Sequence, residues 1–234
     1  MILGSRCLAC GQVLAAREFQ SGLCPRCEHA LTPRRGGFCP SCGKLAANDQ
    51  ETPALCGECR LTPRPWDGFG FYDQYDGLLR EIILQFKFHS GLGYARLLQQ
   101  LCREAYQRHL SPGQADLIVP VPMHDSRLRD RGFNQSMELA RGLKGTLRAP
   151  LVPQALQRTR STTPQSGLTR KQRRKNLVGA LRAESALVAG KKVLVVDDIL
   201  TTGATLMACT RALKSAGADS VAVLVLGRVP EPGT

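Results

Sequence analysis

Apolar residues along this chain follow two alternating periods. Short apolar runs occur within Ala115–Pro122, Lys192–Val196 and Val221–Leu226, each of a length and composition that predicts a strand buried on both faces. Between them apolar residues recur every three to four positions, which predicts helices. These fall over Asp76–Phe88, Leu92–Leu110, Arg127–Leu147 and Leu206–Ala216, with Gly91 and Gly93 separating the first two and Gly132 a weak point in the third. Gly68–Tyr72 alternates like a strand, with Phe69 and Phe71 on one face. Strands alternating with helices over 115–230 predict an α/β parallel, doubly wound sheet. In such sheets ligands sit beyond the carboxyl ends of the strands, where Val121-Pro122 and Asp197-Asp198 both fall, so these two segments are expected to share one site.

Before residue 60 the periodic pattern stops and cysteine takes over. Four Cys-x-x-Cys pairs occur: Cys7/Cys10, Cys24/Cys27, Cys39/Cys42 and Cys56/Cys59. Thirteen residues separate the first pair from the second and the third from the fourth, so the unit repeats with a period of 32. Glycines follow two of the pairs (Gly11, Gly43), and prolines sit inside two (Pro25, Pro40). Tight turns of this kind point both thiolates at one tetrahedral ion, and four thiolates leave zinc no open position, so the expectation is two structural zinc ions. Sequential ribbons and a cross-braced pairing fit the spacing equally well. The remaining cysteines, Cys102 and Cys209, lie in helical stretches and read as small buried hydrophobes.

The strand Val193–Val196 runs directly into Asp197 and Asp198, then a hydroxyl-rich turn, Thr201-Thr202-Gly203-Ala204-Thr205, then a helix. Two acids can accept hydrogen bonds from vicinal ribose hydroxyls. Backbone N–H groups, threonine hydroxyls and a helix N-terminus suit a phosphate, and Gly203 allows close backbone approach. The segment resembles the PRPP-binding signature of type I phosphoribosyltransferases (PRPP is phosphoribosyl pyrophosphate). That resemblance implies PRPP held with Mg²⁺, with Asp197 and Asp198 as the catalytic acids.

Two basic segments add anion-binding chemistry. Arg127, Arg129 and Arg131 offer forked donors suited to pyrophosphate, with Asn134 and Gln135 beside them. Residues 158–176 hold seven basic side chains and no acid. In phosphoribosyltransferases a mobile loop here closes over the pyrophosphate, which would make Arg170 and Arg174 its partners. The same charge also suits nucleic-acid phosphates.

Composition narrows the setting. The formal charge is +13 with a pI near 9.7, which favours polyanionic partners. No window is apolar for the 18 or so residues a membrane span needs, and Met1–Cys10 has no apolar signal-peptide core. The expected compartment is the cytoplasm, where zinc is favoured over disulfides. Trp66, Phe69, Phe71, Tyr72 and Phe133 read as core before they read as a base-stacking platform.

The cysteine pairs, Phe86-Lys87-Phe88, Pro120-Val-Pro-Met, Arg131-Gly-Phe-Asn-Gln135 and the acid-threonine turn, in that order, resemble the ComF/GntX family essentially end to end. The resemblance implies a type I phosphoribosyltransferase-like parallel sheet flanked by helices, preceded by a small zinc-ribbon domain. It divides the chain into a double ribbon at 1–62 and a phosphoribosyltransferase-like domain at 63–234, with a hood element at about 66–114 and a core at about 115–230. It also implies a part in DNA uptake, with single-stranded DNA and proteins of an uptake machinery as partners. Two other classes stay open: a conventional phosphoribosyltransferase acting on a free base, and a catalytically inactive zinc-ribbon adaptor.

Overall fold

The computed structural model describes residues 5–14, 22–87, 91–111, 113, 115–159 and 179–230. Helices are α1 (Pro25–Ala30), α2 (Gly57–Leu61), α3 (Gly77–Phe86), α4 (Ala95–His109), α5 (Asp125–Arg131), α6 (Gln135–Arg141), α7 (Ser185–Val188) and α8 (Ala204–Ser215). Strands are β1 (Gly68–Gln74), β2 (Leu117–Pro120), β3 (Leu156–Arg158), β4 (Leu181–Ala183), β5 (Lys192–Leu200) and β6 (Ser220–Arg228).

The main sheet has the order β1-β6-β5-β2 and every pairing in it is parallel. Both faces are covered, as the unbroken apolar runs require. Leu194, Val196, Ala222, Leu224 and Leu226 point to a core shared with α3, α4 and α6. Val193, Val195, Val221, Val223 and Val225 point to the opposite core with α8, Phe69 and Phe71. β1 and α4, both inside the stretch 66–114, form part of this sheet and of the helical layer upon it. The aromatic residues Trp66, Phe69, Phe71 and Tyr72 are all buried, so they serve the core.

One expected helix is two. The stretch 127–147 breaks after Arg131, where Gly132 takes φ +78°. Such a backbone is easy for glycine and incompatible with helix continuation. Asn134 then restarts the chain as α6 by accepting a hydrogen bond from Met137 N–H at 3.3 Å, the ordinary N-cap role of asparagine. A second difference is the antiparallel pair β3–β4, which flanks the basic segment and was not foreseen. Three-residue strands are too short to show a period. No described helix is long and apolar enough to cross a membrane.

Candidate functional site

The site is built where β5 leaves the core. Four fully buried residues, Val193–Val196, lead to Asp197 and Asp198 at the strand's carboxyl end. Asp197 Oδ1 accepts from Ser136 Oγ at 2.7 Å and from its neighbour's backbone N–H at 3.0 Å. Burial pushes the Asp197 carboxyl up to about 7, and the charge of Asp198 adds to this; the Ser136 hydrogen bond and the Lys87 ammonium act against it. Lys87 Nζ lies 3.0 Å from Asp198 Oδ2, both side chains being mostly buried, and 5.9 Å from the centre of the Tyr75 ring. One of two adjacent acids is therefore paired with an ammonium, and burial favours the protonated form of the other.

Next comes the turn. Gly203 has φ +76° and serves as N-cap of α8. A Cβ there would lie 3.3 Å from Leu200 Cδ1 and 3.6 Å from Trp66 Cη2, so conformation and space both ask for glycine. The Thr202 hydroxyl is buried with no hydrogen-bond partner among the described residues, and Thr202 does not line the cleft that its neighbours form. Thr201, Gly203, Ala204 and Thr205 line a cleft of about 590 Å³ together with Lys87, Met123, Arg131, Gln135, Ser136, Arg158, Asp197 and Asp198.

The structure thus brings the Asp197-Asp198 pair, four of the five turn residues (Thr201, Gly203, Ala204 and Thr205) and Arg131 into one cleft. Arg129 is exposed and does not line it. The side chain of Arg127, and both Arg170 and Arg174, lie outside the described residues. Asn134 is committed to structure: besides capping α6, its Nδ2 donates to the Val121 carbonyl at 3.1 Å and so ties β2 to α6. Gln135 differs. It is only 1% exposed, its Oε1 accepts from Arg131 at 3.2 Å, and its Nε2 has no partner among the described residues.

The eight cysteines form two clusters. Cys7, Cys10, Cys24 and Cys27 converge, as do Cys39, Cys42, Cys56 and Cys59, with all sulfurs of a cluster within 4.8 Å of one another. The pairing is therefore sequential, not cross-braced. Cys10 and Cys24 sulfurs are 3.8 Å apart, as are those of Cys42 and Cys56. A tetrahedron with Zn–S bonds of 2.3 Å has an edge of about 3.8 Å, so the clusters fit zinc. The thiols also compete for protons. The side-chain hydrogen bond between Cys39 and Cys42 drives the Cys39 thiol down to about 4 and raises Cys42. Burial would raise Cys7, but backbone N–H groups of Cys10, Cys24 and Ala9 outweigh it and bring the thiol to about 6. Four thiols this close ionise together only around a cation.

Two family models account for most of the chain. A phosphoribosyl transferase domain matches residues 94–232, and a double zinc ribbon domain matches residues 1–60. Among curated relatives, the DNA utilization protein YhgH of Salmonella typhimurium is 34% identical over 95% of this chain and 96% of its own length. Competence protein F of Haemophilus influenzae is 31% identical over 95% and 96%. Competence protein ComFC of Streptococcus pneumoniae is 26% identical over 95% and 100%. This chain belongs to the ComF/GntX family, with a phosphoribosyl transferase domain behind a double zinc ribbon.

Several residues at the cleft of this ComF/GntX protein escaped a reading of function from sequence. Lys87 was visible only as the middle of Phe86-Lys87-Phe88, because a lysine at a helix end ordinarily reads as solvated. Ser136 follows the Asn134-Gln135 pair and carried no signal of its own. Arg158 was seen as the first residue of a basic segment, whereas it lines the cleft from the end of β3.

Proposed function

We propose that this protein binds PRPP in the cleft at the carboxyl end of β5 and acts in DNA uptake or utilisation, contacting nucleic acid through basic surface. The observation that carries the first half is the convergence of Asp197, Asp198 and the turn residues Thr201, Gly203, Ala204 and Thr205 on one cleft. The names of the curated relatives support the second half. In this reading residues 1–62 form the ribbon unit and 63–234 the PRPP-binding unit, and the protein works in the cytoplasm.

Asp197 and Asp198 hold the ribose hydroxyls, and the turn with the α8 N-terminus holds the sugar phosphate. Arg131, and Arg127, Arg129, Arg170 and Arg174 where they reach the ligand, hold pyrophosphate. Gln135 Nε2 is a donor ready for a ligand oxygen. Lys87 pairs with Asp198 until a ligand cation competes for it. A Mg²⁺ accompanying PRPP would be held mainly by the ligand's own oxygens and water, as that ion prefers.

If transfer occurs, the bond from the anomeric carbon to pyrophosphate oxygen breaks and a bond to an acceptor nitrogen forms. Pyrophosphate leaves with the electron pair, and the acids stabilise positive charge developing at the sugar. The experiment is calorimetric titration of the zinc-loaded protein with PRPP and Mg²⁺, with Asp197→Asn/Asp198→Asn as control. Binding that the double variant loses is the expected result. No heat with the wild type would overturn the PRPP reading and favour an adaptor without a ligand.

A further inference from the structure

Arg228 ends β6 and is 4% exposed. A buried guanidinium is costly unless its donors are used. Its Nε donates to the Cys42 carbonyl at 2.9 Å, and its Nη1 donates to the Thr201 carbonyl at 3.2 Å and to the carbonyl of Val229. One side chain therefore joins a cysteine of the second ribbon to the first residue of the phosphate-type turn. Trp66 makes the same connection by another route. Its Nε1 donates to the Ser41 carbonyl at 2.8 Å, between Cys39 and Cys42. Its ring reaches the turn, where a Cβ on Gly203 would stand 3.6 Å from Cη2.

The knuckle Cys39–Gly43 and the turn Thr201–Thr205 thus share two buried bridging side chains. The first ribbon docks elsewhere, with the Tyr72 hydroxyl donating to the Leu31 carbonyl at 2.5 Å. We propose that the metal of the second ribbon is a positioning element for the cleft. Zinc at Cys39, Cys42, Cys56 and Cys59 fixes the Ser41 and Cys42 carbonyls. These fix Trp66 and Arg228, and Trp66 and Arg228 in turn fix the turn. The orientation follows from peptide geometry. No peptide bond here is cis, so the Thr201 carbonyl and the Thr202 N–H point in opposite directions. Holding the carbonyl against the buried guanidinium turns the N–H away from it. Released, that peptide is free to rotate and offer an anion its carbonyl oxygen instead of its donor.

The ligand consequence rests on the PRPP reading, while the mechanical link does not. Four full-length variants separate them: Cys56→Ser, Cys24→Ser, Arg228→Lys and Trp66→Phe. Each is measured for zinc content, for amide hydrogen exchange over residues 200–206, and for PRPP affinity in Mg²⁺ by calorimetry. Cys56→Ser is expected to lose one zinc, to exchange about tenfold faster in the turn, and to lose affinity by about tenfold or more. Cys24→Ser is expected to lose the other zinc and leave the turn unchanged. Arg228→Lys and Trp66→Phe are expected to keep both zinc ions and still loosen the turn. Unchanged exchange in a folded Cys56→Ser protein overturns the link. If that variant does not fold, unchanged exchange in both Arg228→Lys and Trp66→Phe overturns it. Should the wild type bind no PRPP, the functional reading fails and exchange alone decides the link.

Discussion

The hydroxyl of Ser136 donates to Asp197 Oδ1 at 2.7 Å and so joins the start of α6 to the end of β5. This bond, the Asp198 backbone N–H at 3.0 Å and the Lys87 charge all act against burial. They are not enough, since Asp197 still rises to about 7. The protein holds this acid at a cost to its own stability, as binding sites often do.

The sign of that cost is testable. Asp197 has a folded value of about 7 against an ordinary 3.8, so the folded state binds the proton more tightly. Its contribution is fully present below pH 4 and is lost as pH rises through 7. Asp197→Asn keeps an oxygen for Ser136 and removes the charge. The variant is expected to be more stable than wild type above pH 7 by a few kcal/mol, on the order of 2–4. The gap should close towards pH 4. Urea unfolding from pH 4 to 8 checks it, and equal slopes in both proteins would refute the assignment.

Lys87 bears on both acids. Removing it as Lys87→Met leaves Asp198 without its counter-ion and takes away an influence that lowers Asp197. The variant is expected to lose about 1–3 kcal/mol at pH 8, less than for a fully buried pair. The pH midpoint of its stability profile should move above that of wild type. Adding Asp198→Asn should restore most of the loss, since the stranded charge is gone. Failure of the double variant to recover would mean that Lys87 acts by packing alone.

Asp197, Asp198 and the threonine turn were legible because an unbroken apolar run fixes a buried strand and chain order then fixes what lies at its end. The two zinc clusters were legible from spacing, while their pairing was not, because a period of 32 repeats identically under both arrangements. Gly132 announced a weak point but not a restart, since the capping role of Asn134 depends on where the chain turns. Lys87 and Arg228 were illegible for one reason. A basic residue at the end of an element reads as solvent-facing, and only tertiary contacts with Asp198, Cys42 and Thr201 place these two inside.

The two metal centres should not be equally labile. Cys10 is exposed, whereas the second cluster has three buried sulfurs and a half-exposed Cys56. Arg64 also hydrogen-bonds to the Cys59 side chain and pairs with Glu58 at 3.3 Å, the kind of outer contact that holds a metal ligand in place. Chelator is expected to release zinc in two phases. Cys24→Ser should abolish the fast phase and leave the slow one. A single phase in the wild type, or loss of the slow phase in Cys24→Ser, would count against this ordering.

Gly203→Ala tests the turn without touching charge. The backbone there has φ +76°, and a Cβ meets Leu200 at 3.3 Å. Strain and contact together are expected to cost about 1–3 kcal/mol, read as a lower urea midpoint at unchanged slope. PRPP affinity should fall in the same variant, because the turn's donors move. Wild-type affinity would show that the ligand, if bound, does not depend on this loop.

Contact with nucleic acid through basic surface has a thermodynamic signature in its dependence on salt. The chain carries a formal charge of +13, and Arg173, Arg174 and Lys175 lie together in the basic segment. If these three neutralise phosphates of single-stranded DNA, reversing them to glutamate lowers affinity at low salt. It also reduces the slope of log K against log salt by about two, since each phosphate contact contributes about 0.7 on a single strand. A drop in affinity with an unchanged slope would mean that the segment acts on fold or PRPP closure. An unchanged affinity and slope would place the DNA contact elsewhere. Only the paired change ties these charges to the phosphate backbone, because counterion release depends on how many phosphates are met and not on which bases they join.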